Sequence, residues 1–332
     1  MRVLNVEPLR YGAELRARLG EVVQVDYAEV ADEAQLVTTL EGAPYGALFT
    51  RLGLSVGAAV TQACPTLKWV VTPTTGVDHL DLEELERARV TVISLRGEID
   101  FLRYVRSTAE HAWALLLALV RRLPQAHADV LAENWRREPF LSSELHGKQL
   151  GLVGVGRVGA MVAGFGAAFR MRACGFDRDP NAVAAAEGPV QPVGLDELLA
   201  TSDIVSLHLP LDEWTRGFLN AERLAAMKQG ALLVNTARGE LVDEKALLES
   251  LERHHLGGAA LDVLCGDGIW AGRVPAEHPM VHYARHHSNL VLTPHMGGYG
   301  RESIEATRRF VTEKFLAGIR APIPAPHLGC LP

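Results

Sequence analysis

The chain has 332 residues, 48% of them hydrophobic and 22% charged, with a formal net charge of −7. That is the composition of a globular protein long enough for two domains with their own cores, and it excludes collagenous and disordered chains. The acidic balance lacks the basic footprint of a nucleic-acid binder or of a protein drawn to anionic membranes, so an anionic substrate must meet a local cation. The N-terminus soon meets Glu7 and Arg10, unlike a secretory signal. The apolar run 112–120 is nine residues long, well short of the roughly 20 that span a bilayer. Cys64, Cys174, Cys265 and Cys330 are far apart, which fits neither a metal site nor a disulfide framework and points to free thiols in a reducing cytoplasm.

Short apolar runs alternate with amphipathic stretches. Strands are predicted at 3–6, 22–25, 47–50, 69–72 and 90–94, with helices between them such as 54–64 and 82–88. A long helix is expected over 101–134, with a break at Pro124. A second series then places strands at 150–153, 172–176, 204–207, 231–235, 259–263 and 290–292, and a closing helix over 302–319. This βα alternation predicts parallel sheets covered by helices. The Pro-rich stretch 321–326 reads as an extended tail.

Gly154, Gly156 and Gly159 form G-x-G-x-x-G between the strand at 150–153 and a helix at 158–169. In that setting the first glycine permits the tight turn, the second lets a pyrophosphate approach the backbone, and the third lets helix and strand pack closely. The helix N-terminus, through Arg157 and Val158, offers N–H groups and a partial positive charge to the phosphates. Asp177 follows 18 residues after Gly159 at the end of the next strand. Its carboxylate suits the adenosine ribose hydroxyls and repels a 2′-phosphate, so NAD is expected over NADP, although Arg178 beside it weakens that preference.

Further blocks stand in order along 46–299: Thr75-Gly76-Val77-Asp78-His79-Leu80-Asp81, Ser107-Thr108-Ala109-Glu110-His111, His208-Leu209-Pro210-Leu211 with Thr215, Asn235-Thr236-Ala237-Arg238-Gly239, Leu261-Asp262-Val263, and Thr293-Pro294-His295-Met296-Gly297-Gly298. With the glycine turn, they make the chain resemble the D-isomer-specific 2-hydroxyacid dehydrogenases, the family of D-lactate, D-glycerate and D-3-phosphoglycerate dehydrogenases. The resemblance implies an α/β fold of two Rossmann-like or flavodoxin-like parallel-sheet domains with a cleft between them. Residues 1–100 with 299–332 would form the substrate domain and 101–298 the NAD-binding domain. It also implies a homodimer in which the long helix is exchanged between subunits.

The same resemblance assigns roles. Arg238 would clamp the substrate carboxylate with a bidentate fork. His295 would be the general acid/base, an imidazole being suited to proton transfer near neutral pH. The other histidines carry no such context in the sequence. The third member departs from the family pattern: five residues after Asp262 stands Asp267 where relatives carry glutamate. An acid bonded to His295 would fix its tautomer and support its protonated form. The shorter arm then needs help from the backbone, which Gly266 and Gly268 would permit. Asp262 matches the residue that binds the nicotinamide carboxamide. Thr236 and Ala237 would line that face, and Pro210, Thr215 and Gly298 complete the cofactor set. Arg51, Leu52, Gly53, Thr75 and Gly76 match the loops that hold the substrate carboxylate, with no metal called for. Trp270 and Arg273 lie in the long segment 266–279, which either shapes the pocket or is a surface insertion. The expected activity is interconversion of a small D-2-hydroxy acid and its 2-keto acid. The alternatives are a phosphorylated or phosphonate substrate, for which Arg51, Arg103 and Arg106 supply extra charge, and a non-enzymatic NADH-sensing corepressor.

Overall fold

A computed structural model describes residues 1–320 apart from 185, 187 and 271. The Pro-rich stretch 321–326 and Cys330 lie outside the described residues. The chain divides into two compact units, Met1–Glu98 with Arg301–Pro332, and Ile99–Gly300.

The first unit holds β1 (Arg2–Asn5), β2 (Gln24–Tyr27), β3 (Ala47–Phe49), β4 (Trp69–Val71) and β5 (Thr91–Ile93). They form a parallel sheet in the order β2-β1-β3-β4-β5. A parallel sheet has both faces covered, and here Leu4, Leu48, Val70, Leu36, Val60 and Leu85 fill one core cluster. The helix Arg301–Arg320 returns to this unit from the far end of the sequence. Its Phe315 meets the edge of Phe49 at 5.1 Å and of Trp69 at 6.0 Å, and its buried Arg308 pairs with the buried Glu7.

The second unit holds β6 (Gln149–Val153), β7 (Arg172–Phe176), β8 (Val190–Pro192), β9 (Ile204–Leu207), β10 (Leu232–Asn235), β11 (Gly258–Leu261) and β12 (Leu290–Leu292). All are parallel, in the order β12-β11-β10-β9-β6-β7-β8. Side chains alternate between the faces: Val205, Leu207, Leu233 and Leu261 pack one way, and Leu150, Leu152, Ile204 and Val234 pack the other. On that second face lies the helix Ser107–Val120, where Trp113 wedges against Phe165 and Phe169 of the helix Arg157–Ala168 and its C-cap.

Three features depart from the sequence expectation. The long helix over 101–134 is instead Ile99–Leu102, Ser107–Val120 and Leu123–Leu131. The second break falls before Pro124, because Arg122 adopts a left-handed φ of 51° and Pro124 sits in the first turn of the next helix, where its missing N–H costs nothing. The predicted helix 54–64 is confined to Ala58–Ala63, since Val56 bridges to Leu80. The strand β8 was not predicted: three residues long, ending in Pro192, it is tolerated only at an edge.

Candidate active site

The register of the second sheet builds a row of functional side chains. Val153 pairs with Phe176 and Leu207, Asn235 with Leu207 and Leu261, and Leu261 with Leu292. The residues just past these strand ends are therefore Gly154, Asp177, His208, Thr236, Asp262 and Thr293. They stand side by side at the carboxyl edge of the sheet, the edge where open α/β sheets bind ligands. The strand order reverses beside β6, between β7 and β9, so the glycine turn occupies the switch point.

That turn is shaped by close approach. Gly154 has φ +88°, and a Cβ there would lie 2.7 Å from the His208 carbonyl oxygen. A Cβ on Gly159 would lie 2.2 Å from the Gly154 oxygen, which brings the helix Arg157–Ala168 hard against the turn. A Cβ on Gly156 would meet open space, and as N-cap it supplies no side chain to the helix N–H groups. A small, left-handed turn leading into an uncapped helix N-terminus fits a pyrophosphate. Asp177 closes the turn: its Oδ2 accepts from the Val155 N–H at 2.7 Å and its Oδ1 from the Asp179 N–H at 2.9 Å. Arg157 directs its guanidinium to the Val105 carbonyl at 2.7 Å, and burial lowers its pKa. Its part at the turn is thus by backbone position.

The next turn carries Arg238. The Asn235 side chain accepts from the Ala237 N–H at 3.0 Å and donates to the Arg238 carbonyl at 2.8 Å, and Arg238 Nη1 donates to the Ala237 carbonyl at 2.8 Å. Ala237 therefore has both backbone groups engaged within the turn. Thr236 differs: its hydroxyl is buried with no protein partner, a polar atom of the kind a ligand satisfies. Gly239 follows, and a Cβ there would lie 2.1 Å from the Leu264 carbonyl carbon. Only glycine lets the Arg238 turn abut the backbone that leads to Asp267.

Asp267 and His295 meet directly. Asp267 Oδ2 lies 2.9 Å from His295 Nδ1, with both side chains mostly buried. His295 holds a left-handed φ of 52°, a conformation that costs a non-glycine residue free energy and concentrates at functional sites. Asp262 supports it. Its carboxylate, 1% exposed, accepts from His111 Nε2 at 3.1 Å, the Thr293 hydroxyl at 2.6 Å, and the Met296 and Gly297 N–H groups at 2.9 and 2.7 Å. Its carbonyl accepts the His295 N–H at 2.7 Å. Burial alone pushes this carboxyl up; the hydrogen bonds outweigh it and hold the pKa below the ordinary range. The expected nicotinamide contact thus falls on a side chain already clamping the His295 turn. The Gly297 N–H is fixed there as well.

Two histidines set aside in the sequence belong to this edge. His111, on the helix Ser107–Val120, also lies 3.0 Å from the Thr293 hydroxyl. His208 has a buried Nε2 with no protein partner, and burial pushes its pKa down to about 4. Their signal was present, since both sit inside blocks quoted for the family resemblance. The Thr215 hydroxyl donates to the Pro210 carbonyl at 2.6 Å and accepts the Asp212 N–H at 2.8 Å, so it closes its own loop.

In the first unit, Arg51 was expected to add charge. Its guanidinium donates to the Leu52 and Val30 carbonyls at 3.1 and 2.9 Å and so holds its loop, which Gly53 turns with φ +79°. Thr75 is exposed, and the Gly76 carbonyl accepts from the Thr74 hydroxyl at 2.7 Å. Among the described residues, no group of three or more His, Cys, Asp or Glu could hold a metal ion, and no helix is long and apolar enough to cross a membrane.

Residues 113–297 match the NAD-binding domain of the D-isomer specific 2-hydroxyacid dehydrogenases. The D-3-phosphoglycerate dehydrogenase of Bacillus subtilis (strain 168) is 34% identical over 296 residues, covering 89% of this chain and 52% of its own length. The chain spans about half the length of the curated relatives it matches. Among solved structures, a protein of Thermus thermophilus is 36% identical with a TM-score of 0.81, covering 96% of this chain and 97% of that one. The D-lactate dehydrogenase of Aquifex aeolicus, complexed with NAD and lactic acid, is 26% identical with a TM-score of 0.82, covering 96% of each chain.

Proposed function

Because the chain belongs to the D-isomer specific 2-hydroxyacid dehydrogenase family, we propose that it interconverts a small D-2-hydroxy acid and its 2-keto acid with NAD. The observation that carries the reading is the Asp267–His295 contact at 2.9 Å, at the same carboxyl edge as the glycine turn. In this reading Gly154, Gly156 and the first turn of Arg157–Ala168 hold the pyrophosphate, Asp177 meets the ribose, and Thr236 and Asp262 face the nicotinamide side. The nicotinamide, when bound, supplies the hydride acceptor or donor.

The chain's own residues supply the rest. Arg238 holds the substrate carboxylate through two parallel N–H bonds, which orients C2. Its positive charge also steadies the oxyanion that develops on the C2 oxygen. Asp267 accepts the Nδ1–H of His295, which leaves Nε2 as the lone pair that takes the hydroxyl proton. In reverse, Nε2–H returns that proton to the oxygen. The Arg51, Leu52, Gly53, Thr75 and Gly76 loops are read as further carboxylate contacts on family likeness.

The test is NADH oxidation with a panel of 2-keto acids, both plain and phosphorylated. The phosphorylated arm is warranted because the curated relatives are D-3-phosphoglycerate dehydrogenases. Turnover of one acid, abolished in Arg238→Ala, is expected. No turnover above the Arg238→Ala level with any acid would overturn the reading.

The same reading includes a homodimer. The helix Leu123–Leu131 buries none of its residues, and Leu131, Trp135 and Leu141 are 71%, 91% and 84% exposed. Apolar side chains this exposed along one segment are the mark of a covered surface, and a second copy of the chain is the occupant proposed. Light scattering after size-exclusion chromatography is expected to give twice the chain mass, and Leu131→Asp with Trp135→Asp to give a monomer. A parent chain monomeric at micromolar concentration would refute the dimer. The three described cysteines are free, with Cys64 and Cys174 buried, which supports a reducing cytoplasm as the working compartment.

A further inference from the structure

Asp267 reaches His295 although it is one methylene shorter than the glutamate that the family resemblance implies at this position, so the backbone must bring it closer. The turn before it is held in an unusual way. The Cys265 N–H donates to Glu244 Oε1 at 2.6 Å, and the next N–H, that of Gly266, donates to Glu240 Oε1 at 3.1 Å. Gly266 then takes a left-handed φ of 78°, and the Asp267 N–H closes back on the Leu264 carbonyl at 3.1 Å. Hydrogen bonds to a charged acceptor are about twice as strong as neutral ones, so two consecutive amides are pinned.

The acceptors come from neighbouring points of one stretch. Glu240 lies in the short helix Gly239–Leu241, and Glu244 opens the helix Glu244–Glu252 behind the N-cap Asp243. Gly239 presses against the Leu264–Cys265 backbone from the same stretch. Glu244 is anchored in turn: His278 Nε2 lies 3.7 Å from its other oxygen, and Trp270 packs edge-on against His278 at 5.2 Å. Trp270 and His278 thus back the turn from the side of Glu244. The charged and titratable groups around the turn are Glu240, Glu244, Asp267, His278 and Arg216. Burial raises the Glu244 carboxyl, with Glu240 and Asp267 adding to the push and the Cys265 N–H and His278 opposing it. Three carboxylates this close repel one another, and the two amides offset that repulsion.

We propose that Glu240 and Glu244 are positioning residues: they draw the Cys265–Gly266 backbone into the turn that lets a short acid reach the imidazole of His295. The proposal rests on the reading of His295 as the proton-transfer group. A longer acid has less need of the turn, and this gives the test.

In the Glu240→Ala/Glu244→Ala double variant, kcat is expected to fall about tenfold to a hundredfold, part of the 10²–10⁴ that a positioned acid/base contributes, while KM for NADH holds within about twofold. The downfield Nδ1–H proton resonance of His295, assigned by its loss in His295→Asn, is expected to weaken. Asp267→Glu is expected to lower kcat in the parent chain and to raise it in the double variant. Should the double variant fail to fold, each single alanine variant carries the same reversal at smaller size. Glu240→Gln and Glu244→Gln keep an acceptor oxygen and are expected to hold kcat within about threefold. Asp267→Glu acting alike in both backgrounds, an unchanged His295 resonance, or glutamine variants as impaired as the alanines would each overturn the proposal. A parent chain that turns over no 2-keto acid would defeat the functional reading, and the resonance would still decide this one.

Discussion

Asp262 and His111 lie 3.1 Å apart, and Asp267 and His295 lie 2.9 Å apart, at the same edge of one sheet. Chemically the pairs are alike, but their surroundings separate them. The Asp262 carboxylate is wholly buried and takes four donors, two from side chains and two from backbone. Among the described residues, the Asp267 carboxylate meets His295 at short range and the Leu264 N–H at a long 3.4 Å. One carboxylate has its charge satisfied by four donors, and the other is met chiefly by a single imidazole. The difference teaches that a short acid–histidine distance is not by itself a catalytic sign. The count of other donors on the acid is what separates these two pairs.

The comparison breaks most sharply on activity. His295→Asn and Asp267→Asn are expected to cut kcat about 10²- to 10⁴-fold with little change in thermal stability, because they remove proton transfer and not packing. A melting temperature lowered as much as in an Asp262 variant would erase the distinction. Asp262→Ala is expected to show the converse: about 3–5 kcal/mol of stability lost in denaturant unfolding, as when one partner of a buried charged network is removed, with activity falling because the His295 turn loses its anchor.

His208 sharpens the contrast as a histidine with no acid. Its folded pKa of about 4 lies below the ordinary value of 6.5, so the unfolded chain binds the extra proton between those values. Stability therefore rises with pH across that window and is lost as pH falls from about 6.5 to about 4, by about 3 kcal/mol when complete. Unfolding curves at pH 7, 5.5 and 4 should contain this increment in the parent and lack it in His208→Gln. Equal slopes in both would refute a neutral buried imidazole. The smallest effect is expected for Thr293→Val, which removes one hydroxyl donor from Asp262: about 1.5 kcal/mol of stability, read by the same curves, with kcat reduced far less than in Asp267→Asn.

Much of the fold was legible because parallel strands are buried on both faces and read as short apolar runs. Arg172–Phe176, Ile204–Leu207 and Leu290–Leu292 coincide with their predicted bounds. The edge strand Val190–Pro192 was not legible, since a half-exposed strand ending in proline carries no such run. The break at Arg122 was misplaced by two residues because a left-handed arginine has no composition signal. In the site, Asp267 and His295 could be nominated from their blocks, but the roles of His111, Ala237, Thr215 and Arg51 could not. Each depends on which neighbour a side chain or amide finds first, and those neighbours lie up to 182 positions away, as for His111 and Thr293.

Local sequence determined the elements, the glycine turn and the residue types at each strand end, because hydrophobic period, turn chemistry and capping act over a few residues. Tertiary structure decided which of those polar groups are satisfied by the fold and which are left for a ligand. That choice follows from the register of seven strands, which sets Asp177, Asp262 and Thr293 in one row, and from carboxylates such as Glu240 and Glu244 that grip a turn more than twenty positions further along.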